Sequence, residues 1–229
     1  MRTSTISTTS TNRAGWSRRH ALRALLAGLL LLTAPAARSQ TEAPLAVVES
    51  TVDEVLAILR NGSLDSSERI HRIDAIARKR FDWETMSRLV LRRAWKKFDA
   101  GQRQAFLEAF RDYLAANYGH RLDRYDQQDV KILGARVEPR GDVTVKTRII
   151  GGSADDVEMD YRMRERNGEW RVIDVKIEGV SLISNFRAQF SEVLSHGGPD
   201  EVLRRLREKT AEMARESRAD PPAGLRRIA

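Results

Sequence analysis

The sequence predicts an α+β fold: a twisted antiparallel four-stranded sheet with helices packed on one face. Three observations predict it. Over residues 44–118, apolar side chains recur every three or four positions, the spacing of a helix face. Over residues 130–177 they alternate with polar ones in short runs between turn residues, the period of half-buried strands. After Ile177 the helical period returns at Ile183, Phe186, Phe190, Val193 and Leu194.

Residues 44–60 read as an amphipathic helix with Leu45, Val48, Val52, Val55, Leu56 and Leu59 on one stripe, ended by Asn61-Gly62. Ser66 opens a second helix faced by Ile70, Ile73, Ile76 and Ala77. Arg78, Lys79 and Arg80 gather at its C-terminal end, where cations suit the helix dipole. Asp82 caps a short third helix that reaches Leu91. Asp99 opens the longest helix, with Gln102 at the spacing of a capping box. On it Phe106, Phe110, Tyr113 and Asn117 follow one stripe, widened by Leu107, Leu114 and Tyr118. Such a stripe is usually the core face of a helix, and a cavity wall has the same pattern.

The first strand, residues 130–137, changes phase at Leu133-Gly134, which predicts a β-bulge. Pro139 to Gly141 makes a turn. Val143, Val145, Thr147 and Ile149 alternate with polar residues on the second strand, and Val157, Met159, Tyr161 and Met163 do so on the third. Asn167-Gly168 is a two-residue hairpin signal joining the third strand to the fourth. The fourth, residues 169–177, is apolar on both sides and should be the most covered. Gly179 sits where that strand stops, and Ser181 or Ser184 can cap the helix that follows. His196-Gly197-Gly198-Pro199 breaks this helix, and Pro199 suits the first turn of a last one carrying Val202, Leu203, Leu206 and Met213. The period fails from Arg215, so a single domain over 44–212 and a loose tail over 213–229 are expected.

Residues 1–39 have the pattern of an export signal. Arg13, Arg18, Arg19 and Arg23 precede a Leu-rich run over 24–32 that is too short to cross a membrane as a mature helix, and small residues follow up to Ser39. Arg18-Arg19 also fits the twin-arginine export pattern. The formal charge of +8 belongs mostly to this segment: six Arg and no acid precede Thr41, leaving 34 basic and 32 acidic residues, a net +2. A nucleic-acid partner is therefore not expected. With no cysteine, the exported chain must be held by its core alone.

Chemistry is sparse. His20, His71, His120 and His196 lie far apart with no metal-ligand spacing, and no Gly-rich phosphate loop occurs, so no metal or cofactor is expected. Asp155-Asp156 reads as a solvated turn. An acid in an apolar pocket could serve a small isomerase or dehydratase, and the candidates are Asp160 and Asp174. Asp160 falls on the polar face of its strand, whereas Asp174 shares a face with Trp170 and Val172 by simple alternation. A buried Asp is more often satisfied than catalytic, and the expectation is that the chain is not an enzyme. Arg92, Arg93, Lys96 and Lys97 cluster on the surface, either as a solvated face or as a dock for anionic groups.

The segment Trp170-Arg-Val-Ile-Asp-Val-Lys-Ile-Glu-Gly-Val-Ser-Leu-Ile-Ser-Asn-Phe-Arg-Ala-Gln-Phe190 resembles the signature of the periplasmic toluene-tolerance, or MlaC, family. Trp95-Lys-Lys-Phe98 and residues 102–118 are similar to its helical half, so the likeness covers about residues 96–209. Phe186 stands where the family usually has Tyr, and Asp155-Asp156 replaces a turn that commonly contains Pro. The resemblance implies a monomeric periplasmic carrier that shuttles phospholipid between an inner-membrane MCE-type ABC transporter and an outer-membrane lipoprotein complex, with no catalytic residues. A related subfamily associated with hopanoids makes a polycyclic terpenoid the alternative cargo, and a ligand-free interaction module is the other alternative. The resemblance also implies an apolar cavity between sheet and helices. For its wall we expect Phe106, Phe110, Tyr113 and Tyr118 to face Val145, Ile149, Met159, Tyr161 and Val172, with Val180 and Phe186 closing one side.

Overall fold

The sheet has five antiparallel strands rather than four, in the order β1-β2-β3-β4-β5. They are β1 (Asp129–Val137), β2 (Val143–Ile150), β3 (Val157–Arg166), β4 (Glu169–Ile177) and β5 (Val180–Ser181). The helices are α1 (Ala34–Arg60), α2 (Ser66–Arg80), α3 (Trp83–Leu91), α4 (Ala100–Leu122) and α5 (Leu182–Ala219), with a 3₁₀ turn over Arg92–Lys97. The structure is a computed structural model that describes residues 34–122, 125, 127–152 and 156–219, without the side chains of 34–39, 120–122 and 217–219. Most of the expected export signal with its Arg18-Arg19 pair, His20, Asp155 and the tail from residue 220 lie outside the described residues. Met1–Ser39 and Gln40–Ala229 are separate compact units, and the first enters the description only as the opening of α1.

Local chemistry sets the elements. Asp82 Oδ1 accepts from Thr85 N at 2.9 Å and caps α3. Asp99 and Gln102 form the expected reciprocal box at the start of α4, Gln102 N donating to Asp99 Oδ1 at 2.7 Å and Asp99 N to Gln102 Oε1 at 3.1 Å. Asn167 and Gly168 both have positive φ, as a tight two-residue hairpin needs. Glu178 and Gly179 repeat that geometry, and this is the source of β5: Ile177 pairs with Val180 across a second tight turn. β5 lies beyond the expected end of the sheet at Gly179, because Glu178 is a poor marker of such a turn.

Two bulges shape the sheet. The expected one falls at Leu133, where the pairing slips between Ile132 and Gly134. The other was not expected. The register of β3 on β4 slips between Arg162 and Met163, so Ile173 is the extra residue of β4. It returns Asp174 to the face of Arg162, opposite Val172 and Val175, correcting the placement by simple alternation. α5 bends at Gly198, with φ 67° and ψ −164°, a region open only to glycine. It then runs to Ala219, past the expected end of order, because residues 211–219 are mostly good helix formers.

The buried side chains form two clusters. One is helical, joining α3, α4 and both arms of α5 around Phe98, Phe106, Phe110, Phe186 and Phe190. The other joins Val48 of α1 to Val143, Val145, Met163, Val172 and Val175 on one face of the sheet. The opposite face carries charge, including Lys146, Asp160 and Lys176 in register across three strands.

Candidate ligand cavity

α1 is rich in valine on its inward stripe. Val48 packs directly on the sheet and is buried. Between the later turns of α1, at Val52, Val55, Leu56 and Leu59, and the strand ends that carry Ile149, Val157, Met159 and Tyr161, a cavity of about 660 Å³ remains. That falls within the roughly 300–1,000 Å³ of small-molecule sites. Its floor follows β3 from Val157 to Met163, about 20 Å at about 3.3 Å per residue. β-Branched and thioether side chains give it a stiff roof and an adaptable floor.

Polar groups in the wall are few. Tyr161 sits mid-floor. Its hydroxyl donates only to Met159 Sδ at 4.0 Å, and burial pushes its pKa up to about 12. At one end Arg60 Nε donates to Tyr125 Oη at 3.1 Å, and Tyr125 Oη donates to the Gln128 carbonyl at 3.0 Å. At the end of α2, Arg80 reaches back to α1 and binds Glu54 at 2.8 Å.

Of the residues expected from sequence, Tyr118, Ile149, Met159, Tyr161 and Val172 border this cavity. The other six do not. Phe106, Phe110, Tyr113 and Phe186 pack among themselves and their helical neighbours, with ring centroids 5.5 Å apart for both Phe110–Phe186 and Tyr113–Phe186. The aromatic stripe therefore faces α5 and not the sheet, because the first turns of α5 lie between. Val145 is buried at 0% exposure beneath α1, and Val180 is 60% exposed on β5. α1 forms a wall that was not among the expected residues, and its signal in the sequence is a helix stripe wholly aliphatic, in contrast to the ring-rich stripe of α4.

Asp174 has both oxygens committed. Oδ2 accepts from Ser181 Oγ at 2.6 Å and Oδ1 from Ile183 N at 3.1 Å, while Ser181 Oγ accepts from Ser184 N at 3.0 Å. Asp174 thus anchors the start of α5 and does not border the cavity. Among the described residues no helix is long and apolar enough to cross a membrane.

A family model described as MlaC protein matches residues 49–208, from the second half of α1 into the distal arm of α5. The chain belongs to the MlaC family. It is 27% identical to the toluene tolerance protein Ttg2D of Pseudomonas putida over 187 residues, covering 80% of this chain and 85% of that protein. It is 22% identical to the intermembrane phospholipid transport system binding protein MlaC of Haemophilus influenzae over 127 residues, 54% of this chain and 59% of that one. Among solved structures it is similar to the phospholipid-binding protein of Ralstonia solanacearum in complex with a phospholipid. That match has a TM-score of 0.67 and 25% identity, over 74% of this chain and 97% of that one. The family thus carries names of lipid binding and transport, and the α+β architecture is common to both structures.

Proposed function

We propose that this chain is a periplasmic lipid carrier. Its cavity holds the acyl chains of a phospholipid, and it ferries that lipid as a monomer between an MCE-type ABC transporter of the inner membrane and a lipoprotein complex of the outer membrane. The observation that carries this is the apolar cavity between α1 and β3. Its length exceeds the roughly 15 Å that one leaflet contributes to a bilayer's hydrocarbon core. The phospholipid in the Ralstonia solanacearum relative supports the cargo, and the export pattern of residues 1–39 supports the compartment.

The energetics suit a carrier. Each buried methylene is worth about 0.8 kcal/mol against water, so two acyl chains amount to roughly 20 kcal/mol or more. Free lipid is thus negligible, and exchange must run between apolar environments of similar quality. A wall of Val, Leu, Ile and Met supplies such an environment without converging polar groups. Asp174 is committed to the α5 start and Asp160 lies on the charged face beside Lys146 and Lys176, so neither candidate acid borders the cavity, which supports a carrier over an isomerase-like reading.

The test is to isolate the exported protein, identify bound lipid by native mass spectrometry, and follow its transfer to vesicles containing the transporter. Bound phospholipid that moves to those vesicles is the expected result. A bound terpenoid would keep the carrier and change the cargo. Protein that leaves the cell empty and extracts no lipid from vesicles would leave a ligand-free interaction module.

A further inference from the structure

Arg80 is the only charged side chain that borders the cavity among the described residues. Its position is fixed by backbone on both sides. α2 ends at it, and the next residue, Phe81, bridges to Val172 of β4. Both hydrogen bonds of the guanidinium leave from Nη2, to Glu54 Oε1 at 2.8 Å and to Ser50 Oγ at 3.4 Å on α1. The donors on Nε and Nη1 remain for another acceptor. The Arg80–Glu54 pair is partly open to solvent, at 29% and 49% side-chain exposure. Such a pair contributes little net stability and exchanges readily. A phosphodiester offers two anionic oxygens that match the guanidinium fork.

We propose that Arg80 is a phosphate subsite at the rim of the cavity, binding the phosphodiester of a loaded phospholipid in place of Glu54. This rests on the acyl-chain reading above. Chains lying along β3 bring a headgroup to the rim, where the partly exposed Arg80 is the one cation of the wall among the described residues. In the empty carrier Glu54 neutralises that cation. On loading, the phosphate takes it over, and Glu54 becomes a like charge beside the headgroup. Arg80 therefore favours phosphate-bearing lipids over uncharged lipids of the same chains, and Glu54 limits how tightly they are held, which suits a carrier that must release.

The experiment offers delipidated protein either phosphatidylglycerol or diacylglycerol of identical chains from the same nonionic detergent, and reads bound lipid by mass spectrometry. Arg80→Gln is expected to weaken phosphatidylglycerol about tenfold, the scale of one charge-assisted hydrogen-bonded contact, and to leave diacylglycerol unchanged. Arg80→Lys should fall between wild type and Arg80→Gln, and Glu54→Gln should tighten phosphatidylglycerol alone. Unchanged phosphatidylglycerol binding in Arg80→Gln overturns the proposal. So does equal loss of both lipids, which would make Arg80 a prop between α1 and α2. Inorganic phosphate alone should not raise the thermal stability of wild-type protein. Arg80-dependent stabilisation by it would make the rim a free-anion site and overturn the lipid assignment. Wild-type protein that holds neither lipid would fail the acyl-chain reading itself.

Discussion

The helical half and the sheet half bury apolar stripes of similar length, yet one is filled and the other is hollow. Around α4 and α5 the centre is occupied by rings, with Phe106, Phe110, Phe186 and Phe190 in stacked and edge-on contact at centroid distances of 5.5–6.0 Å. Between α1 and the sheet the side chains are mostly aliphatic, with Phe81, Tyr118, Tyr125 and Tyr161 spaced along the wall, and they leave about 660 Å³ open. Flat rings interlock and complete a close-packed interior. Valine and leucine line a surface without reaching across it. The two halves divide the work: one supplies a rigid body, the other a space.

The sharpest break in that comparison is truncation. Phe110→Ala removes a ring with 0% exposure from the filled cluster, and should cost about 3–5 kcal/mol in denaturant unfolding. Ile149→Ala on the cavity wall should cost no more than about 2 kcal/mol, the low end for such a change, because part of the side chain already faces empty space. Equal losses would mean that the two halves are packed alike.

The hollow half is also held from outside. Asp142, fully buried at the start of β2, takes bidentate bonds from Arg162 and Arg164 of β3 at 2.6–3.0 Å. Burial alone would raise its pKa, but the bonds and charges of Arg164 and Arg162 outweigh burial and hold it below the ordinary aspartate value. The folded form thus binds the proton more weakly than the unfolded chain. The stability this contributes is present above the unfolded aspartate pKa, about 3.9, and is lost as pH falls below it towards the folded value. Asp142→Asn should cost about 1.5–3 kcal/mol at neutral pH, the scale of hydrogen bonds to a charged group, and flatten the acid limb of the stability curve. An unchanged acid limb would place the acid sensitivity elsewhere.

The smallest effect on stability belongs to the surface of the filled half. The guanidinium groups of Arg88 and Arg103 lie over the Trp95 ring, 5.6 and 5.3 Å from its centroid, and this steadies the Arg92–Lys97 turn. Changing Arg92, Arg93, Lys96 and Lys97 to Glu should move stability by no more than about 0.5 kcal/mol. It should lower binding to anionic vesicles at low salt and leave binding at high salt unchanged. No change at low salt would reduce the turn to a solvated face.

Much of this fold was legible because local chemistry decides it. The capping box at Asp99 and Gln102, the Asn167-Gly168 hairpin, the bulge beside Gly134 and the period-2 strands all follow from backbone needs a few residues long. The site was half legible. β3 declared its inner face through Met159 and Tyr161, but no periodicity distinguishes a stripe packed against rings from one packed against space. That depends on which element lies opposite, and the first turns of α5 claim the α4 rings. The bulge at Ile173 has no glycine to mark it, so the true face of Asp174 was hidden, and Glu178 ahead of Gly179, a poor marker of a tight turn, hid β5.

Overpacking tests the central claim most directly. Val145 and Met159 stand on the same face of adjacent strands, Val145 fully buried in the core cluster and away from the cavity, Met159 on the cavity floor. Val145→Trp should lose about 1–3 kcal/mol or more, since the added ring has nowhere to go. Met159→Trp should stay within about 1 kcal/mol of wild type and carry little co-purified lipid, its ring having taken the place of the acyl chains. Equal destabilisation of both variants, with wild-type protein isolated empty, would contradict the account and leave a protein with two filled cores.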